Sequence, residues 1–374
     1  MTASRLLAKL EDFRLLPIFV IVSMAIGIAI GKLLSISDFE LTPPIDALKA
    51  MADGTFELSV ASAISLGVPI GLFMMMYPAM TNVRLGEVGI AFRSPRQLAV
   101  VLFFNFAIAP FFMLLLANIF VSDPELHTGL VLYGLAPCIA MVIIFTYLAK
   151  GNVPMALVFV ALNSVIQMLL IPVYARLLIG NVDFDVLVVG QSVLLYLGLP
   201  LVLGVLTRIL VVRRGGEAAM DRLKPGLNAL SIIGLLFTLI VMFSLKGDLI
   251  LERPGIVLQM AIPMTIFFAT MFFVVLFIGS RLRFSYEDGV AVAFNATGRD
   301  FEIAIAIAIT AFSPTVALAT VVGPLIEVPV MLFLVWAATR LAPRWFGASV
   351  SAQLDATTDR IATDAGAPDP KAAH

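Results

Sequence analysis

The 374 residues include one cysteine, Cys138, and two histidines, His127 and His374. A single thiol excludes an intrachain disulfide, and two histidines exclude a histidine-rich metal cage. Charge is scarce too, at 13% of residues, where a soluble domain carries about 25%. The net charge of −1 points to no nucleic-acid partner. No Gly-rich phosphate loop and no nucleotide-binding domain is present, so the chain has no machinery for using ATP itself. Residues 15–34 are too long for a signal core and lack a small-residue cleavage site, so they are expected to form a retained first helix rather than a cleaved signal. Together these absences predict a protein that is not an enzyme and holds neither a cofactor nor a resident metal.

What is abundant is apolar. Hydrophobic residues make up 61% of the chain and mean hydropathy is +1.05, the composition of an all-α polytopic membrane protein. Runs long enough to span recur at 15–34, 58–80, 97–121, 127–149, 153–180, 187–212, 228–246, 256–279, 287–312 and 314–340, which predicts ten helices. The connections sort by charge. Basic residues flank one side of the array: Arg5, Lys9 and Arg14; Arg84, Arg93 and Arg96; Lys150; Arg208, Arg213, Arg214, Arg222 and Lys224; Arg281 and Arg283; Arg340 and Arg344. Acids fill the alternate connections: Asp38, Glu40, Asp46 and Asp53; Asp123 and Glu125; Asp183 and Asp185. The positive-inside rule then places both termini in the cytoplasm, with the chain in the cytoplasmic (inner) membrane. Residues 1–346 form the transmembrane domain; 347–374, rich in Ala, Asp, Thr and Pro, read as a disordered cytoplasmic tail.

Five helices per half is an odd number, so halves sharing a fold (about 15–180 and 187–340) must be inverted relative to each other, a common plan for secondary transporters. Helix breaks sit at matching places. The fourth segment is interrupted by Pro137 beside Cys138, and the ninth by Gly298 beside Arg299. Proline removes a backbone donor, glycine weakens a helix, and backbone groups freed at membrane depth are tolerated only against protein or a watery cavity. Two ordinary kinks in packed helices are the plainer alternative.

The ninth segment also carries Arg299, Asp300 and Glu302 within four residues, at a depth where charge is costly and seldom faces lipid. A structural ion pair is one reading, with Asp300 the partner of Arg299. The other is a carboxylate tuned to take and release a proton, with Glu302 the freer carrier and Asp300 or Glu327 next. Glu327 lies mid-helix between Pro324 and Pro329. Cys138, as a buried free cysteine, is more often a small hydrophobe. Beside a helix break, it could instead ligate a soft, thiophilic solute. Asn105 reads as interhelical glue, Asn163 as either glue or solute contact, and Gln167 belongs with them. Arg176 reads as a snorkelling side chain.

Gly134-Leu135-Ala136-Pro137-Cys138-Ile139-Ala140-Met141-Val142 resembles the fourth-helix motif of the arsenical-resistance arsenite permeases. Phe301-Glu302-Ile303-Ala304-Ile305-Ala306 and Gly323-Pro324-Leu325-Ile326-Glu327-Val328-Pro329-Val330 resemble their ninth and tenth helices, and Met74–Pro78 and Val241–Gly247 match as well. The resemblance covers roughly residues 12–345. It implies the bile acid/sodium symporter superfamily, with ten helices in two inverted repeats whose fourth and ninth helices cross. It also implies export of arsenite, sometimes antimonite, with proton exchange, and puts the family's functional cysteine and glutamate on Cys138 and Glu302. Pro137 stands where that family usually has arginine, Phe145-Thr146 where it has Trp-Asn, and Arg299-Asp300 where it has two asparagines. Thr146–Asn152 is closer to the sodium-symporter branch, whose ion-binding places fall on Asn295, Arg299 and Asp300. The leading expectation is proton-coupled arsenite efflux, with Cys138, Arg299, Asn295 and Asn163 contacting solute and protons as the second partner. The alternatives are an organic-anion carrier pairing its solute with Arg299, a sodium-coupled symporter, or a sensor that binds without moving solute.

Overall fold

The computed structural model describes residues 16–34, 60–81, 94–139, 141–180, 184–252 and 254–346. The tail 347–374, the acidic connection holding Asp38, Glu40, Asp46 and Asp53, and Asp183, Arg5, Lys9, Arg14, Arg84 and Arg93 lie outside the described residues. The described residues are helical throughout, without a named strand. The elements are α1 (Leu16–Leu34), α2 (Val60–Thr81), α3 (Pro95–Phe120), α4 (Pro124–Leu135), α5 (Met141–Leu148), α6 (Val153–Leu178), α7 (186–215), α8 (217–252), α9 (Pro254–Arg281), α10 (Tyr286–Thr297), α11 (Phe301–Ala311), α12 (Pro314–Val321) and α13 (Gly323–Trp345). Among the described residues each apolar run falls on helix apart from its ends and the interruptions at 136–139, 298–300 and 322. Five stretches are long and apolar enough by themselves to cross a bilayer: Pro95–Phe120, Val153–Leu178, Val186–Ser244, Gly255–Arg281 and Thr315–Arg340.

Two groups of helices result. In one, α1 and α2 lie along α7 and α8. Close approach is made by glycine: a Cβ on Gly27 would stand 2.6 Å from the Ile240 carbonyl oxygen, and Gly31 meets the Ser244 carbonyl. Small residues at such contacts let helices associate in lipid through packing alone. The basic stretch between α7 and α8 is helical on both sides and turns only at Gly216, at φ 69° and ψ −175°. Arg208, expected in that connection, is instead buried inside α7, with Nη2 donating to both carboxylate oxygens of Glu217 at 3.0 Å.

The other group, α3–α6 with α9–α13, holds the interrupted helices. α3 contains a π-helical turn, Phe103–Ile108, just before Pro110. Proline has no N–H to give the carbonyl four residues back. The freed Phe106 carbonyl accepts instead from the Tyr174 hydroxyl of α6. A second π turn, Leu194–Gly198, likewise precedes Pro200. The tenth apolar run is also interrupted, at Val322 between α12 and α13, where Gly323 and Pro324 follow. The turn between α5 and α6 is pinned to the start of α10: Asn152 donates from its backbone to the Glu287 carbonyl at 2.9 Å and from Nδ2 to Asp288 at 2.8 Å, and the Tyr286 hydroxyl donates to the Ala149 carbonyl at 2.9 Å. α6 and α10 therefore start at one level and run inward together.

Candidate functional site

α4 stops at Leu135 and α5 starts at Met141; α10 stops at Thr297 and α11 starts at Phe301. The two extended interruptions lie side by side, antiparallel, with Pro137 opposite Arg299. Cys138 N donates to the Gly298 carbonyl at 3.0 Å, and Asp300 N donates to the Ala136 carbonyl at 2.8 Å. The broken backbones thus satisfy each other, as apolar surroundings require. The closeness depends on Gly298, where a side-chain methyl would collide with Val142 and stand 3.1 Å from Cys138 Cβ.

Cys138 is 3% exposed, and Arg299, Asp300 and Glu327 are fully buried. Cys138 is tied through its backbone to Gly298, two positions before Asp300 and four before Glu302, and the Arg299 amide beside it reaches Glu327 Oε1. The sequence places these groups on different helices; the crossing brings them together. The N-termini of α5 and α11 both start there, and their unpaired amides favour negative charge. Asp300 answers this directly, capping α11 through Oδ1 with the Ile303 amide at 3.1 Å. Its Oδ2 lies outside hydrogen-bonding geometry to any described group, and the Glu302 carboxyl of the same first turn adjoins it.

The expected Arg299–Asp300 ion pair does not form: Arg299 enters no ion pair among the described residues. Its Nη2 donates to Asn105 Oδ1 and to the Ala296 carbonyl, both at 2.6 Å; Nε donates to the Thr297 carbonyl at 3.2 Å, and Nη1 reaches the Gly134 carbonyl at 3.5 Å. The guanidinium also lies 5.4 Å from the Phe267 ring centre. The reason is geometric. Asp300 must turn its carboxylate forward to cap α11, while a helix ending at Thr297 exposes carbonyls that a five-donor fork can collect. Asn105 is glue as expected, its Nδ2 also donating to the Asn295 carbonyl at 3.0 Å. It reaches both groups from the π turn of α3.

Glu327 is likewise satisfied. Its Oε2 accepts from the Tyr133 hydroxyl at 2.6 Å and its Oε1 from the Arg299 backbone amide at 3.3 Å. Tyr133 is the member that sequence reasoning missed. The available signal was its place one turn before the Pro137 break, on the helix that must meet the tenth segment. Asn163 and Asn295 are fully buried. Asn295 Nδ2 donates to the Ala291 carbonyl at 2.9 Å, whereas its Oδ1 and both amide atoms of Asn163 have no hydrogen-bond partner among the described residues. Arg176, in the last turn of α6, is exposed.

The Sodium Bile acid symporter family model matches residues 69–253. The chain is 35% identical over 347 residues to an arsenical-resistance protein, Acr3, of Corynebacterium glutamicum, spanning 88% of this chain and 90% of that one. It is 33% identical over 353 residues to the arsenical-resistance protein Acr3 of Alkaliphilus metalliredigens, spanning 89% and 93%. It is also 33% identical over 356 residues to an uncharacterized transporter of Synechocystis, spanning 88% and 89%.

Proposed function

The chain belongs to the arsenical-resistance family within the bile acid/sodium symporter superfamily and is a multi-pass membrane transporter rather than an enzyme, and on that premise we propose that it expels arsenite, and also antimonite, from the cytoplasm in exchange for protons. The observation that carries this reading is the backbone pairing of two broken helices, which sets Cys138 against Gly298, two residues before Asp300, and brings the Arg299 amide to Glu327. Trivalent arsenic is soft and thiophilic, and one thiol can hold it without trapping it, whereas several would not release it. Cys138 is therefore the contact for the metalloid as it passes the crossing.

The carboxyl groups divide by how they are already engaged. Glu327 accepts from two donors, and Asp300 spends one oxygen on the α11 cap. Glu302 is the proton carrier, with Asp300 two residues before it in the first turn of α11. Arg299 holds the crossing together. Four of its five N–H groups are committed to protein oxygens, which leaves little for pairing an anionic solute. Asn163 and Asn295, both buried with an amide oxygen unpartnered among the described residues, are assigned to solute contact on the same route. The chain sits in the cytoplasmic membrane as ten helices in two inverted halves, with both termini inside.

The test is export from cells that lack their own arsenite exporter. Cells expressing the chain should accumulate less arsenite and survive higher doses. Cys138→Ala should abolish the protection at undiminished protein level. In proteoliposomes, Glu302→Gln should abolish arsenite flux driven by a pH gradient. Unchanged arsenite accumulation with the wild-type chain overturns the reading.

A further inference from the structure

The Asn163 and Gln167 side chains are both fully buried, yet none of their four amide atoms has a hydrogen-bond partner among the described residues. One such atom could be accidental, but four on two consecutive turns are a different matter, because burying an unpaired polar atom costs more than a hydrogen bond returns. Spaced i, i+4, the two amides share one stripe of α6. That stripe, with Val160 and Ile171, is buried, while Val165, Leu169 and Val173 on the other side are exposed. Glue residues of this chain look different. Asn105 uses both ends of its amide, and Tyr174 and Tyr133 each donate to a specific oxygen. Asn163 and Gln167 are therefore available to something that is not protein.

Their depth places them at the level of the crossing. α6 leaves the pinned α5–α6 turn at Val153, so at 1.5 Å per residue Asn163 lies roughly 15 Å in and Gln167 roughly 21 Å in. α10 starts at the same level, where Glu287 receives Asn152, and reaches Gly298 after roughly 16 Å. The two amides thus bracket the level of the broken segments, and α6 packs against α4, α5 and α10, which carry them. Thr146 Oγ1 of α5 and Asn295 Oδ1 of α10, also buried and unpartnered, stand on those neighbouring helices.

The chemistry of the four atoms selects the occupant. An amide carries no net charge and offers an acceptor oxygen beside two donors. It gives an anion no countercharge, and the nearby guanidinium is already committed. It is matched by a solute whose groups both donate and accept, which means hydroxyls. Resting on the efflux reading above, we propose that Asn163 and Gln167 form a hydroxyl-recognition site that binds the metalloid as its neutral trihydroxide, As(OH)3 or Sb(OH)3, rather than as an oxyanion. Cys138 reads the soft central atom, and the amides read the hydroxyls around it.

Boric acid separates the two kinds of recognition, because it presents three hydroxyls around a centre with no affinity for thiols. In proteoliposomes carrying the wild-type chain, boric acid at about hundredfold excess should raise the arsenite KM and leave the maximal rate unchanged. Asn163→Leu and Gln167→Leu should each raise the arsenite KM by about tenfold or more and lose the response to boric acid. Their thermal midpoints should be unchanged or higher, since each removes buried atoms that had no partner; purely structural amides would lower them. A wild-type chain that moves arsenite but ignores boric acid overturns the proposal without touching the efflux reading. So do leucine variants with wild-type KM. A wild-type chain that moves no arsenite overturns both.

Discussion

At the scale of single residues, the crossing shows how polar groups persist in an apolar interior. Among the described residues Arg299 is one of the largest fully buried side chains, and what surrounds it is mostly carbonyl oxygen. A helix that stops inside a membrane leaves its last carbonyls without partners, and a guanidinium, with five donors, can collect more of them than any other side chain. Glu327 solves the opposite problem by taking the Tyr133 hydroxyl and a backbone amide. Tyr133→Phe should therefore leave Glu327 Oε2 buried and unpaired, costing about 1–3 kcal/mol and lowering the thermal midpoint in detergent. Arg299→Gln should cost more, because each acceptor left buried and unpaired costs about 1–3 kcal/mol and it strands carbonyls of two helices and Asn105 together. Its signature is loss of folded protein rather than a selective change in solute preference. The residue types and their burial were legible from sequence: charged groups in an apolar run must point inward. Their partners were not. Adjacency in sequence suggested Asp300 for Arg299, but the cap of α11 claims that carboxylate.

At the scale of elements, each interruption has a local cause. Pro137 cannot continue α4, Gly298 weakens the end of α10, and Pro110 and Pro200 each follow a π turn. What converts two weak points into one site is their pairing, and that depends on the missing side chain of Gly298. Gly298→Ala should force Val142 and Cys138 apart, cost about 1–3 kcal/mol as overpacking does, and abolish transport before it abolishes folding. Flux and thermal midpoint measured on one preparation separate the two. Gly216 has a different role. Nothing stands within 4 Å of where its Cβ would be, so the constraint is its positive φ alone. Gly216→Ala should cost about 1–3 kcal/mol through backbone strain and leave transport kinetics untouched. The breaks at Pro137 and Gly298 could be seen in the sequence because proline and glycine are local signals. The break at Val322 and the helical continuation on both sides of Gly216 were missed, since neither alters the apolar pattern enough to register.

At the scale of the whole molecule, the helices form a slab of α1, α2, α7 and α8 against a group built around the crossing. The alternation of basic and acidic connections predicts which ends face the cytoplasm. Because Cys138 is the one cysteine and is buried, a Cys138→Ala background is free of native thiols and suits the purpose. Cysteines introduced at Glu125 should react with an impermeant maleimide from outside intact cells. Those at Arg214 should react only after the membrane is opened. Labelling of both from one side would overturn the ten-helix arrangement.

The sequence by itself determined the solvent of this protein, the extent of its apolar runs, the breaks marked by Pro137 and Gly298, and the family to which it is similar. These follow from composition and from residues acting on their own neighbours. Which carboxylate caps, which accepts from tyrosine, which amides stay unpaired and whether a thiol meets an acid were decided only by the tertiary structure. Hydrogen bonds between residues up to 194 positions apart depend on how whole helices are docked, and no local periodicity carries that information.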